Sequence, residues 1–268
     1  MIFRRIAPYF SILAVLCFDV FASVGIEGTN FKIIHTTPLY DESFESFNIK
    51  KWGTSGLTLV QDDINYVSPG NGNAHLKVTY IPTSRGTKRV TAEVLLEQPV
   101  YRAQLSYKVK FGEDFEFVRG GKLHGLGGGE LTSGCKAQSK KGWSVRVVWL
   151  EGGVPALYVY DQNRTKRCGT AYPIHTGFAF QRNVWHHVLL DVKLNSNPLV
   201  NDATVVLSVD GNELSRLGNL QLTGAKDVLI DTFMFSTFHG GSNSTWSPSK
   251  RVFAEFDNFV VKGIFELN

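Results

Sequence analysis

Along most of this chain apolar and polar positions alternate in short runs, and no long apolar repeat at helical spacing appears. Alternation with a period of two marks an extended segment with one buried face, because successive side chains of a strand point to opposite sides. The runs are rich in Val, Thr, Phe and Tyr and are broken by Gly, Asn, Asp and Pro, the residues of turns. They predict strands over 74–81, 90–96, 101–111, 144–149, 185–194, 204–209, 232–238 and 252–261, and Asp210-Gly211 after Val209 is a hairpin signal. Many short strands at this spacing predict an all-β domain, a sandwich of two antiparallel sheets or jelly roll. Neither a repeat nor a low-complexity linker divides it, so one domain is expected over 38–268 with a lead-in at 23–37.

The N-terminus reads differently. Arg4 and Arg5 precede an apolar run over 6–18, and the small residues Val20 and Ala22 stand before Ser23. This predicts a signal peptide over 1–22. The run is short for a span of ~20 residues and Asp19 closes it, so a membrane anchor is the weaker reading. A lipid-attached Cys17 is disfavoured because Leu16 before it is not small. The expected product is a secreted, extracellular monomer with no membrane association once the leader is gone.

Secretion changes what the three cysteines mean. Cys17 leaves with the leader, and Cys135 and Cys168 allow a single pairing, so a disulfide is expected in an oxidising compartment. Closing a loop of about 34 residues would stabilise by ~3 kcal/mol. Nothing near either cysteine supports a nucleophile. Asn163 and Asn243 head Asn-x-Ser/Thr acceptors for glycosylation. A 43% hydrophobic content supports a buried core and excludes a disordered tail. The formal charge of +4 falls to +3 without the leader, a mild bias that suits an anionic partner. Lys and Arg form no dense run, which argues against nucleic acid. Among seven histidines no ligand spacing appears, and the adjacent His186-His187 would face opposite sides of a strand, so no metal or other cofactor is expected.

Three segments carry candidate chemistry. In the first, a strand with Phe115 and Phe117 is expected to enter a glycine-rich turn, with Lys122 on the face opposite those rings and His124 nearby. The missing Ser or Thr after Lys122 excludes a phosphate loop. In the second, strands over 143–149 and 157–160 flank Gly152-Gly153, with Ser144 and Arg146 on one face. Pairing Leu150 with Ala156 would put Arg146 opposite Tyr160 and bring Tyr158 to the same surface; a slip of one residue would separate them. Arg grips a carboxylate with two parallel hydrogen bonds, and Tyr offers a ring and a hydroxyl, so the set suits a sugar acid. In the third, a strand ends at His239 in a Gly-Gly turn followed by Trp246. By pattern alone each segment also reads as an ordinary connection, an exposed strand face or a surface loop.

Together the three segments resemble polysaccharide lyase family 14, which includes alginate lyases and is similar to glucuronan lyases. The resemblance rests on Gly-Gly-Lys-Leu-x-Gly-Leu at 120–126, on Ser144 and Arg146 followed by Tyr158 and Tyr160, on Gly-Gly-Ser-x-x-x-Trp-x-Pro at 240–248 and on Phe-Asp-Asn-Phe at 256–259. It covers roughly residues 40–262. It implies a β-jelly roll with a groove on its concave sheet, cleavage of polyuronates by β-elimination without an obligatory metal, and a groove lined by Lys122, Ser144, Arg146, Tyr158 and Tyr160. His124 stands where a proline is frequent in the family, and His239 where an aromatic is frequent; both, with Trp246, are expected to touch substrate. β-Elimination needs a neutralised carboxylate, a base at C5 and an acid at O4. Arg146 and Lys122 fit the first task, and Lys122, Tyr158, Tyr160 and His124 remain open as the base. Acting as a base would require a tyrosine's pKa of ~10 to fall, as neighbouring cations would make it do. Two other functions stay open: a non-catalytic binder of acidic polysaccharide, and a sandwich hydrolase, for which Glu255 and Asp257 are the nearest approach to a carboxylate pair.

Overall fold

The computed structural model describes residues 33–46, 48–52, 65–68 and 73–267. The expected leader and residues 23–32 of the lead-in lie outside the described residues. The strands in chain order are β1 (Ile33–Glu42), β2 (Tyr66–Ser68), β3 (His75–Tyr80), β4 (Pro82–Thr83), β5 (Gly86–Thr87), β6 (Val90–Val100), β7 (Arg102–Phe111), β8 (Gly120–Gly129), β9 (Gly142–Leu150), β10 (Pro155–Tyr160), β11 (Thr170–Pro173), β12 (Trp185–Lys193), β13 (Ala203–Val209), β14 (Asn212–Leu220), β15 (Ile230–His239) and β16 (Val252–Leu267). One sheet runs β14-β13-β12-β7-β16-β3-β2, with β1 added on β16; the second runs β11-β10-β9-β8-β15-β6. The pairings in both sheets are antiparallel, so the all-β jelly-roll expectation holds.

The alternation that predicted the strands is what packs the two sheets together. On β7, Ala103, Leu105, Tyr107, Val109 and Phe111 are buried while the residues between them are half-exposed. Those inward side chains meet Val145, Val147 and Trp149 of β9 and Phe233 and Phe235 of β15 from the other sheet. Aromatic rings join the layers: Phe111 to Trp149 at 5.7 Å and Phe235 to Phe256 at 5.9 Å. Some of the buried polar groups on these faces are paired, which offsets the cost of burying them. Tyr80 and Thr237 bond hydroxyl to hydroxyl, and the Trp149 indole N–H donates to the Phe117 carbonyl at 3.0 Å.

Three local features differ from the sequence reading. β1 begins at Ile33, ahead of the domain start expected at 38, and pairs along the second half of β16. Pro38 obscures this strand in the sequence; it sits where the register shifts, a place where a missing N–H is tolerated. Phe115 and Phe117 belong to the irregular connection between β7 and β8, and the glycine-rich stretch after them is itself strand β8. β8 runs between β9 and β15, and a Cβ added at Gly121 or Gly125 would collide with the Trp149 ring or the Val145 carbonyl. The glycines therefore allow close strand packing rather than a turn. The third difference is the β9–β10 register, where Trp149 pairs with Pro155 and Arg146 with Tyr158. That is two residues from the expected pairing. Gly152 and Gly153, at φ 73° and 84°, centre the connection on Gly152, and the Leu150 N–H closes it on the Val154 carbonyl at 2.7 Å. A shift of two preserves faces, so the side chains stay on the expected surface.

Candidate active site

The order β10-β9-β8-β15-β6 lays five strands side by side, and their outward side chains line a groove of about 610 Å³. Each strand contributes by its alternation. With Val145, Val147 and Trp149 inward, β9 turns Arg146 and Val148 outward; β10 does the same with Tyr158 and Tyr160 once Leu157 and Val159 are buried. Lys122 on β8 lies beside Val148 of β9 and Phe238 of β15.

These side chains converge. The Lys122 Nζ sits 4.1 Å from the centre of the Tyr158 ring, and the Arg146 guanidinium carbon lies 5.9 Å from the same centre. Arg146 is buried, donates from Nη1 to the Ser236 hydroxyl at 3.4 Å, and leaves its buried Nε without a partner. No ion pair joins Arg89, Lys122 or Arg146 to a carboxylate among the described residues. Tyr160 is held from several sides. Its hydroxyl accepts the Cys135 N–H at 3.0 Å, the Arg164 guanidinium lies 4.8 Å from its ring centre, and Tyr158 meets it edge-on at 5.4 Å. The Cys135–Cys168 disulfide forms as expected and lies in the groove wall. Trp246 lines the groove rim beside Gly241, with the Arg119 guanidinium 5.4 Å from its ring. Asn163 and Asn243 are exposed.

Burial among cations sets the electrostatics. Desolvation, then the charges of Arg146 and Arg89, push the Lys122 amine down to about 7, so at neutral pH a large share of it is an unprotonated base. Burial also lowers the Arg146 pKa, although a guanidinium keeps its charge at neutral pH. For Tyr158 the sequence argument had the wrong sign. Burial and the neighbouring Tyr160 raise its pKa and outweigh the lowering by Arg146, which keeps the phenol protonated and able to donate.

Three expected substrate contacts fall elsewhere. His124 is fully buried between the sheets, with Phe235 and Tyr107 at 4.3 and 4.7 Å, and its Nδ1 accepts the Ser236 N–H at 3.1 Å. Strict alternation would place it with Lys122, but a bulge between Lys122 and Gly125 inserts one residue and turns it inward. His239 is also fully buried. It follows Phe235 and Thr237 on the inward face of β15, and its Nε2 meets the Glu116 carbonyl at 2.7 Å. Ser144 shares the outward face of Arg146 but lies under the loop that carries Cys135, where its hydroxyl donates to the Thr132 carbonyl at 2.6 Å. It shapes the groove wall and does not line it.

The groove also holds residues that sequence reading missed: Arg89, Glu93, Ser236 and Phe238. A signal for most of them was present. The alternation of β6 and β15 puts Glu93, Ser236 and Phe238 opposite the apolar members of their strands. What made them groove residues is the placement of β15 next to β8.

A family model described as polysaccharide lyase 14 matches residues 71–259. No curated protein sequence matches the chain. Among solved structures, alginate lyase vAL-1 from Chlorella virus is similar at 23% identity with a TM-score of 0.62, covering 74% of this chain and 88% of that one. A mutant of alginate lyase Aly36B in complex with alginate tetrasaccharide aligns at 18% identity and TM-score 0.68, covering 87% and 98%. An endo-beta-1,4-glucuronan lyase from the fungus Trichoderma reesei aligns at 15% identity and TM-score 0.57, covering 85% and 96%. These three share the fold.

Proposed function

The chain belongs to polysaccharide lyase family 14, and from that premise we propose that it cleaves a polyuronate by β-elimination, with alginate rich in mannuronate as the foremost substrate and glucuronan as the second. One observation carries the reading. A buried arginine and a half-buried lysine, with no carboxylate paired to either among the described residues, share a groove with a protonated tyrosine. A buried guanidinium without a partner is costly, and a groove built around it fits an anionic ligand that supplies the missing charge.

The geometry assigns the steps. Arg146 takes the carboxylate of the unit to be cleaved and stabilises the charge that spreads onto it when C5 loses its proton. Lys122, with its pKa near 7, is the base that receives that proton. The electron pair forms the C4–C5 double bond as the C4–O4 bond breaks. Tyr158, held in its protonated form, gives its proton to the departing O4. One fragment gains a reducing end and the other an unsaturated uronate. Tyr160 orients Tyr158 and borders the sugar site.

Two features argue against hydrolysis. Among the described residues Glu93 is the one carboxylate that lines the groove, where a glycosidase needs two. Glu255 and Asp257 project from the outer face of the other sheet, and Glu255 pairs with Lys110 there. The disulfide supports secretion to an oxidising compartment, and exposed Asn163 and Asn243 are open to glycan attachment there. The test is incubation with alginate, polymannuronate and glucuronan, followed by near-ultraviolet absorbance of the unsaturated product. Growth of that absorbance on a polyuronate is the expected result. New reducing ends without it would mean hydrolysis, and binding without either would mean a non-catalytic binder.

A further inference from the structure

The groove contains a third cation that has no direct part in the elimination, although its charge helps lower the Lys122 amine. Arg89 stands just ahead of β6, on the far side of β15 from Lys122. It is exposed, it lines the groove, and its guanidinium sits 5.2 Å from the centre of the Phe238 ring. Phe238 is the Cα partner of Lys122, so Arg89 is braced on the residue that flanks the base. A guanidinium on an aromatic face keeps its N–H edges free for a ligand while the ring restricts where the side chain can go. No carboxylate pairs with Arg89 among the described residues.

Its distance from Arg146 decides what it can do. Arg146 is on β9, and β8 and β15 lie between β9 and β6. At roughly 4.8 Å per strand, the Arg89 and Arg146 backbones stand ~14 Å apart across the sheet. The two side chains enter the groove from opposite sides of β8 and β15 and their charges disfavour each other, and a saccharide laid across the strands can present a separate carboxylate to each. The aromatic rims agree with that path: Tyr158 and Tyr160 border one end of it and Phe238 the other.

Resting on the reading of this groove as a polyuronate site, we infer that Arg89 binds the carboxylate of a second uronate of the same chain, beside the unit held by Arg146 and Lys122. The enzyme therefore selects for contiguous uronates. A polymer whose cleavable unit is flanked on that side by a neutral sugar loses this contact and binds more weakly.

The experiment compares the wild type with Arg89→Met and Arg89→Lys, using hexamannuronate and a polymannuronate partly reduced to mannose. For Arg89→Met on hexamannuronate, measured well above neutral pH so that Lys122 is unprotonated with or without the Arg89 charge, the expected result is a KM raised about tenfold, the scale of one charge-assisted hydrogen bond, with kcat within about twofold. Arg89→Lys should fall between. On the partly reduced polymer the gap between wild type and Arg89→Met should narrow, because many cleavable units there lack a charged neighbour. Calorimetric binding of hexamannuronate, with and without Arg89→Met in the Lys122→Ala background, should show the same tenfold weakening without turnover. An unchanged KM and Kd in folded Arg89→Met overturns the inference. So does a collapse of kcat at constant KM, or a gap that persists in full on the reduced polymer. A wild type that binds the hexamer through Arg89 yet forms no unsaturated product would remove the lyase reading and leave this one standing.

Discussion

The outward faces of the two sheets treat their cations in opposite ways. On the eight-stranded sheet Arg102 makes a two-pronged contact with Asp191 at 3.0 and 2.9 Å, Gln104 supports the same carboxylate, and Arg102 also reaches Glu266. Lys110 pairs with Glu255, and Lys193 lies 3.7 Å from Glu266. In the groove of the six-stranded sheet, Arg146 is more deeply buried than these, Lys122 is half-buried, and no carboxylate pairs with either among the described residues. Burial raises the cost of an unpaired charge. The charges that serve the fold are thus neutralised within it, and the costly ones are gathered where a ligand would sit. Unpaired burial, more than the number of basic residues, separates a site from a surface.

The contrast can be broken most sharply at the base. Lys122→Ala should lower turnover on polyuronate by at least ~100-fold while the melting curve stays in place; near-normal turnover in a folded variant would remove Lys122 from the chemistry. Paired substitutions come next. Arg146→Met should lose ~100-fold or more in kcat/KM, with stability unchanged or raised by about 1 kcal/mol because an uncompensated buried charge is gone. Arg102→Met should do the reverse, costing about 1 kcal/mol in denaturant unfolding with turnover intact. If both variants lose stability alike, the distinction between the two faces fails.

A smaller effect lies in pH. A base is active unprotonated, so kcat/KM should rise as pH increases through about 7, the Lys122 value in the free enzyme. A profile already flat well below that would point to another base. The smallest expected effect concerns stability. Burial lowers the His239 pKa to about 4 and that of His124 well below its ordinary value. The unfolded chain, with histidine near ~6.5, then binds more protons than the folded one. Stability is full above about 6.5 and falls as pH drops toward about 4, by up to roughly 1.4 kcal/mol per pH unit for each histidine. His239→Phe should flatten that decline in denaturant unfolding measured across the range.

Much of this protein was legible in its residues. Period-two alternation belongs to the chain itself, so the strands, the two-sheet architecture and the outward direction of Arg146, Tyr158 and Tyr160 could be read from spacing. The motifs around Lys122, Arg146 and Tyr158 pointed to the family before any coordinates, and assigning Cys17 to an expected leader left Cys135 and Cys168 one pairing. Tertiary structure decided the rest. The bulge after Lys122 reversed the facing of His124, because a bulge is set by the strands on either side and leaves no mark in local alternation. Arg89, Ser236 and Phe238 joined the groove because β15 lies beside β8 and β6 beside β15, strands distant from β8 in the sequence. The direction of the Tyr158 shift depended on how deeply the folded walls bury its ring. Local pattern determines which way a side chain leaves its strand, whereas which strand lies next to it, and how much water remains between them, are settled by contacts between residues far apart in the sequence.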